Sequence, residues 1–101
     1  MVEVVWEFAV MQTSVTEFER HYGQDGTWVQ LFKRDAAFVE TKLLKDRETS
    51  LRYLTIDRWH SYDAYEAFKR KHHAEYVRTD AQMEKLTKSE RLIGVFDICD
   101  L

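Results

Sequence analysis

The residues best suited to chemistry lie in one stretch, TIDRWHSYDAYEAFKRKHHAEY, at residues 55–76. His72 belongs to the residue type whose charge changes near neutral pH, so it is suited to moving a proton. Asp57 offers a carboxylate for the same task, and Trp59 follows it two positions later. Asp57, Trp59 and His72 are therefore the candidate catalytic residues, and proton transfer is the chemistry they suggest.

Aromatic side chains recur every three or four residues along the same stretch, which is the spacing of one helix face. The face consists of Tyr62, Tyr65, Phe68, His72 and Tyr76. Tyr65 and Phe68 on this face, together with Tyr53 and Glu7 on predicted strands, are the candidate contacts for a bound molecule. The alternative is structural, with Trp59 and the aromatic face holding a helix against a sheet and the indole N–H bonded locally. The sequence leaves both interpretations open.

Metal and nucleotide chemistry find no support in the sequence. His72 and His73 are neighbours on a helix and point about 100° apart, which is unsuitable for shared metal ligation. His21 and His60 stand alone. There is no Gly-rich phosphate loop, nucleophile elbow or dinucleotide fingerprint, so kinase and hydrolase functions are not expected. No metal and no cofactor are predicted.

Four segments have the composition and alternation of strands, and two main segments have helical periodicity. The predicted strands are residues 2–10, 37–45, 50–58 and 92–99. The first helix is predicted over 14–22, where Ser14 and Glu17 form a capping-box pattern, with a short helix at 28–34 after it. The second begins near Ser61, and residues 80–86 either continue it or form a separate turn. Gly94, inside the last strand, suggests a bulge or a close approach.

The order β-α-β-β-α-β predicts an α+β, ferredoxin-like fold, in which a four-stranded antiparallel sheet carries both helices on one face. The other face is not polar, because Val5 and Ala9 share it with Glu3 and Glu7 in the first strand. An exposed apolar face of several hundred Å² is typical of an interface or a ligand groove. We therefore predict a homodimer that packs sheet to sheet. Polar strand residues either line a cavity or lie at the rim; they are Glu7, Glu40, Thr41, Thr55, Asp57 and Asp97.

Composition restricts the class of protein. A chain of 101 residues predicts a single domain. The net charge of −3 argues against nucleic-acid binding, and the basic cluster KRKHH at 69–73 is interpreted as a solvated helix face. No apolar run approaches the ~20 residues that a membrane span requires, and the N-terminus has no signal-peptide pattern. We predict a cytoplasmic protein that does not associate with membranes.

The segment YLTIDRWHSYDAYEAF (53–68), a strand ending in Trp59 followed by a polar turn and an aromatic helix, resembles the antibiotic biosynthesis monooxygenase (ABM) domains of the dimeric α/β-barrel superfamily. The segments EFERHYGQDGTWVQLF (17–32) and ERLIGVFDI (90–98) are similar to the same layout. The resemblance implies one domain over residues 1–101, a homodimer, and a cavity between sheet and helices. It also implies a cofactor-independent monooxygenase acting on a small aromatic or polycyclic compound. The alternatives are a non-catalytic ligand-binding or stress-associated barrel, and an isomerase or dehydratase with His72 or a carboxylate as proton shuttle.

Some members of that superfamily degrade haem. The resemblance places an Asn on the first strand, a Trp at the end of the third strand and a His on the next helix at their sites. Trp59 matches the Trp, but the chain contains no Asn, and Phe68 and Lys69 stand where the His is expected. Haem degradation is therefore not expected.

Overall fold

The computed structural model describes residues 1–99. Its sheet has four strands, β1 (Val2–Val10), β2 (Phe38–Lys45), β3 (Arg52–Trp59) and β4 (Thr87–Asp97). Their spatial order is β2-β3-β1-β4, and every neighbouring pair is antiparallel. The predicted α+β, ferredoxin-like fold is confirmed.

Four helices connect the strands. They are α1 (Val15–Tyr22), α2 (Thr27–Phe32), α3 (Tyr62–Lys71) and α4 (His73–Met83), with 3-10 turns at Gln12–Ser14 and Glu84–Leu86. The segment 80–86 is thus the end of α4 followed by a 3-10 turn, which is the continuation that the sequence left open. None of these helices is both long and apolar enough to cross a membrane.

The two predicted helix starts have different outcomes. At Ser61 the backbone is extended, and the side chain accepts a hydrogen bond from the Ala64 N–H at 3.1 Å, so Ser61 caps α3. Ser14 makes no side-chain capping bond, and the predicted capping box is wrong. The 3-10 turn that ends at Ser14 gives it φ −115° and ψ 10°, whereas a capping residue normally has an extended backbone.

Strand β4 begins five residues earlier than the sequence predicted. Its first half is polar and exposed because it is an edge strand, yet it pairs with β1, with Glu90 opposite Phe8. Near Gly94 the β1–β4 register shifts, as predicted for a bulge. A Cβ at Gly94 would lie 3.1 Å from the Phe96 ring, so the close approach is also present.

Strand β3 divides the two faces of the sheet clearly. Tyr53, Thr55, Asp57 and Trp59 are buried in alternation with half-buried residues. The buried set faces the helices, where Trp59 packs with residues of α2 and α3. This alternation follows from the two-residue period of a strand, and it places Thr55 and Asp57 beneath the helices.

The opposite sheet face combines ion pairs with apolar side chains. Glu7 bonds to Arg52 at 2.6 Å and to Arg91 at 3.0 Å. Ile56 is half-buried and Phe96 is 50% exposed. Both faces of the sheet therefore carry apolar groups, as the sequence predicted.

Candidate functional site

A cavity of about 110 Å³ lies between the sheet and the helices. Its aromatic lining residues are Trp6, Phe8, Tyr22, Trp28, Phe32 and Tyr76. Its polar lining residues are Thr41, Thr55, Asp57, Asp80 and Glu90. A mostly aromatic wall with a few polar groups is the usual composition of a small-molecule site.

Strand pairing brings the polar floor of the cavity together. Thr41 of β2 lies directly opposite Asp57 of β3, and Trp6 of β1 lies directly opposite Thr55. Directly opposed residues share a face of the sheet, and so do residues two apart on one strand. Thr41, Thr55, Asp57 and Trp6 therefore all point toward the helices.

Asp57 is the buried titratable group of this floor. The residue is only 8% exposed, and Oδ1 accepts a hydrogen bond from the Thr41 hydroxyl at 2.6 Å. Among residues 1–99, Oδ2 has no hydrogen-bond partner. Burial raises the pKa of Asp57 to about 7, and the Thr41 bond offsets only part of that effect. Near neutral pH the carboxyl group can therefore both accept and donate a proton.

The aromatic wall is built by the helices and β1. Tyr22 lies 5.0 Å from Phe8 and 6.2 Å from Trp28, and Trp28 lies 5.1 Å from Tyr76, all between ring centroids. Burial raises the pKa of Tyr22 well above its ordinary value and that of Tyr76 to about 12. Both phenols are thus neutral at physiological pH, and the wall is apolar with uncharged hydroxyl groups.

The solvent-facing side of the cavity carries two carboxyl groups. Asp80 lies on α4, one turn after Tyr76, and is half-buried, whereas Glu90 on β4 is exposed. Burial raises the pKa of each. Repulsion from Glu84 raises the pKa of Asp80 further, and repulsion from Asp80 and Glu84 raises the pKa of Glu90 further. The two carboxyl groups are therefore close enough to interact across the mouth.

Asp57 is the one predicted catalytic residue that lines the cavity. His72 does not line it. Its ring packs against Phe68 with centroids 4.9 Å apart and the ring planes tilted by 36°, and Nδ1 lies 4.0 Å from a Glu75 carboxylate oxygen. Phe68, one turn earlier on the same helix face, packs on Trp59 and does not line the cavity either, so this part of the face lies outside it.

Trp59 is fully buried beside the cavity and does not line it. Its ring packs 5.0 to 5.6 Å, between centroids, from Phe32, Phe38, Tyr65 and Phe68. The indole N–H has no hydrogen-bond partner within residues 1–99, so the local bond expected from the sequence is absent there. The surroundings of Trp59 are those of a packing residue.

The predicted contact residues lie outside the cavity lining. Tyr53 is buried, and its hydroxyl group donates a hydrogen bond to the Glu19 carboxylate of α1. Burial is the main cause that raises the pKa of Tyr53 to about 12, and the hydrogen bond to Glu19 adds to it. Tyr65 and Phe68 pack around Trp59. Glu7 points to the opposite sheet face.

The polar strand residues that the sequence left undecided are now divided between two environments. Thr41, Thr55 and Asp57 line the cavity. Glu40 and Asp97 are exposed, and Glu7 lies among the ion pairs of the opposite face.

Several lining residues were not singled out as site residues from the sequence. Trp28 and Phe32 are four apart, as are Tyr76 and Asp80, so each pair shares a helix face. The spacing of four residues in the sequence could therefore have indicated which helix faces pack toward the sheet. Glu90 had no such signal, because it lies in a polar segment whose composition is typical of a loop.

Comparison with known proteins gives structural likeness alone. No protein-family model matches the chain, and no curated protein matches it. Among solved structures it is similar to SnoaB, a cofactor-independent oxygenase from Streptomyces nogalater, with 22% identity and a TM-score of 0.79 over 99% of this chain and 94% of SnoaB. It is also similar to the heme-degrader MhuD from Mycobacterium tuberculosis, solved with two hemes in its active site, with 16% identity and a TM-score of 0.68 over 100% and 99% of the two chains.

A third solved structure, described as an antibiotic biosynthesis monooxygenase, has 10% identity and a TM-score of 0.68 over 99% of this chain and all of the other. These likenesses extend over nearly the whole chain. They show that the chain has the ABM-domain fold, which confirms the resemblance at the level of fold.

Proposed function

We propose that this protein, built on the ABM-domain fold, is a cofactor-independent monooxygenase of a small aromatic compound, with Asp57 as its acid–base residue. The observation that carries the proposal is a buried carboxyl group of pKa about 7 that faces an aromatic-walled cavity. A pKa near the working pH is what a general base requires. Strongly perturbed carboxyl groups in clefts are also typical of functional sites.

The size of the cavity favours a small substrate. Its volume is about 110 Å³, which is below the roughly 150 Å³ of an apolar cavity known to hold benzene. At most one aromatic ring is therefore enclosed beside Asp57, and any further ring extends through the mouth toward Asp80 and Glu90. A polycyclic substrate would be bound with only its reacting ring enclosed.

The reaction needs a base and dioxygen. Ionised Asp57 removes a proton from an activated CH₂ group beside a phenolic ring, which leaves a carbanion. The carbanion donates its electron pair to O₂, forming a C–O bond, and the resulting peroxide takes the proton back from Asp57. Loss of water leaves a carbonyl group, so CH₂ and O₂ yield C=O and H₂O. Dioxygen is the oxidant and the substrate carbon is oxidised, so no separate reductant is required.

The other lining residues support this chemistry. The Thr41 hydroxyl holds Oδ1 of Asp57, which leaves Oδ2 for the substrate proton. The rings of Tyr22, Trp28 and Tyr76 exclude water from the reacting centre, and water exclusion strengthens charge interactions there. The neutral hydroxyl groups of Tyr22 and Tyr76 add no charge beside the carbanion.

The activity prediction concerns Asp57→Asn, which keeps the size of the side chain and removes its basicity. We expect kcat for oxygen-dependent quinone formation from anthrone or a related phenolic CH₂ acid to fall about 100- to 10,000-fold, the usual contribution of a general base. Wild-type kcat/KM should rise as pH increases through about 7, because the ionised carboxyl is the active form. Oxygen uptake and quinone absorbance measure both quantities.

Two matched variants serve as controls for that prediction. Glu40→Gln removes an exposed carboxyl from β2, next to Thr41, and His72→Gln removes the imidazole outside the cavity. Both should retain wild-type turnover. Full activity in Asp57→Asn, or activity lost only in His72→Gln, would contradict the assignment.

The same geometry also suits an isomerase or dehydratase, because a carboxyl group with a pKa near 7 can shuttle protons without oxygen. Turnover of a substrate under anaerobic conditions would favour that function. Stoichiometric binding of an aromatic ligand with neither oxygen uptake nor proton exchange would favour the non-catalytic barrel. Haem degradation is not proposed, because in the described part of the chain no His lines the cavity to ligate iron.

We also propose that residues 1–101 act as one cytoplasmic domain that forms a homodimer through the open sheet face. The apolar residues of that face, including Leu54, Ile56 and Phe96, carry no covering helix within residues 1–99. Light scattering should return twice the 12.2 kDa mass of the chain at micromolar concentration. Ile56→Glu should shift the mass toward the monomer, whereas Tyr62→Glu, at a 48% exposed residue on α3, should not. A wild-type monomer mass would be decisive against this arrangement.

A further inference from the structure

The charges around the cavity all have the same sign. Asp57, Asp80 and Glu90 line it, and among the described residues no Lys, Arg or His does. The remaining ionisable lining groups are Tyr22 and Tyr76, which stay neutral. A ligand therefore meets carboxyl groups at both ends of the cavity and no cation to neutralise them.

The two ends differ in exposure. Asp57 is more than nine-tenths buried, and its Oδ2 has no hydrogen-bond partner within residues 1–99. Asp80 is half-buried and Glu90 is exposed, so the pair lies where the cavity meets solvent. The unpaired oxygen of Asp57 at the floor and the carboxyl pair at the mouth can all accept hydrogen bonds from donors that a ligand supplies.

We propose that this cavity selects small aromatic molecules bearing a protonated amine and discriminates against aromatic carboxylates. The ring lies beside Asp57, and the ammonium group lies between Asp80 and Glu90. The proposal rests on the proposed function for the location of the substrate, and it adds the charge class of that substrate.

The aromatic wall reinforces this preference. Tyr76 lies one turn before Asp80 and is in edge contact with Trp28, so an ammonium group near Asp80 is also near two aromatic rings. Aromatic faces attract cations through their quadrupole, with Trp the most effective. An aromatic carboxylate would instead add a further negative charge to a site that already holds three carboxyl groups.

The experiment compares three probes that share one aromatic group and differ in charge. They are 2-phenylethylamine, 2-phenylethanol and phenylacetate, titrated calorimetrically into the wild-type protein slightly above neutral pH. We expect the amine to bind roughly tenfold or more tightly than the alcohol, and the carboxylate more weakly than the alcohol. Added salt should reduce the advantage of the amine, because the mouth carboxyls are solvent-accessible.

Two double variants test whether the preference for the amine comes from the carboxyl groups at the mouth. Asp80→Asn with Glu90→Gln should bring the amine close to the affinity of the alcohol while the affinity of the alcohol stays constant. Glu48→Gln with Asp63→Asn changes the net charge equally at sites outside the cavity, and it should leave the preference intact. Thermal unfolding of both double variants establishes that each one is folded.

The outcomes separate this inference from the proposed function. If the alcohol or the carboxylate binds in the cavity as tightly as the amine, the charge preference is wrong and the aromatic site stands. If the amine preference survives the mouth variant, Asp80 and Glu90 are not its source and the inference fails. If none of the three probes binds, both the inference and the proposed aromatic site fail together.

Discussion

Asp57→Asn is expected to unfold at a higher temperature than the wild-type protein above pH 7, and at nearly the same temperature near pH 4. Burial raises the pKa of Asp57 in the folded protein from 3.8 to about 7. Between these two values the folded state holds the proton while the unfolded state releases it. Ionisation of the unfolded chain then favours unfolding, so the wild-type protein loses stability as pH rises through this window.

The size of the effect follows from the two pKa values. A change of the carboxyl pKa from 3.8 to about 7 corresponds to about 4 kcal/mol of unfolding free energy. Asn keeps a hydrogen-bonding partner for Thr41 and never ionises, so the variant avoids this cost. For a domain near 100 residues each kcal/mol shifts Tm by roughly 4 to 8 °C, so a difference of about 10 °C or more is expected above pH 7.

Calorimetric unfolding at a series of pH values measures the difference between the two proteins. The difference should grow between about pH 4 and pH 7 and then level off, because Asp57 is ionised in both states of the wild-type protein at higher pH. Glu40→Gln, which removes an exposed carboxyl group from the neighbouring strand, is the matched control for this measurement. A constant difference in Tm between Asp57→Asn and wild type at every pH would mean that folding does not raise the pKa of Asp57.

The two expected results for Asp57 strengthen each other. At functional sites activity and stability often compete. A residue there can lower the stability of the protein, and an uncharged residue of the same size at that position then raises it. If Asp57→Asn is both more stable and inactive, the carboxyl group is retained for chemistry. A structural role alone would predict loss of stability on substitution.

The sequence predicted the sheet side of the site better than the helix side. Alternation along β3 is a local property of the chain, so it assigns Thr55 and Asp57 to a common face, whereas the face that meets the helices depends on register. His72 shares a helix face with Phe68, as its spacing predicted, but Phe68 packs on Trp59 and neither residue lines the cavity. Which part of a helix face meets the cavity depends on tertiary packing, and helical spacing alone does not give it.

The mouth of the cavity depended on contacts between distant parts of the chain. Asp80 and Glu90 belong to α4 and β4, and each is brought to Asp57 only by packing of that helix and edge strand on the sheet. Helix and strand propensities of a local segment carry no information about contacts between such distant parts of the chain. The exposed, polar start of β4 lacked alternation, so Glu90 was not recognised as a strand residue at all.

Trp59→Ala is expected to be the most destabilising single substitution considered, while Trp59→Phe should be mild. The Trp59 side chain is 0% exposed and contacts rings from α2, β2 and α3, so truncation leaves a large void among aromatic neighbours. Burial of this kind makes Trp→Ala cost about 3–5 kcal/mol, a large part of the 5–15 kcal/mol that typically stabilises a domain. Phe keeps a ring in place, and the indole N–H that it removes has no partner within residues 1–99.

Denaturant unfolding of the two variants, with turnover measured on each folded protein, separates packing from chemistry at this position. Trp59→Phe should melt within a few degrees of wild type and retain activity, because Trp59 lies outside the cavity lining. Loss of turnover in a stable Trp59→Phe would instead assign the indole a direct part in the reaction. Since Asp57 lies only two residues away on the same strand face, Trp59→Ala should also lower activity by loosening the strand that positions the carboxyl group.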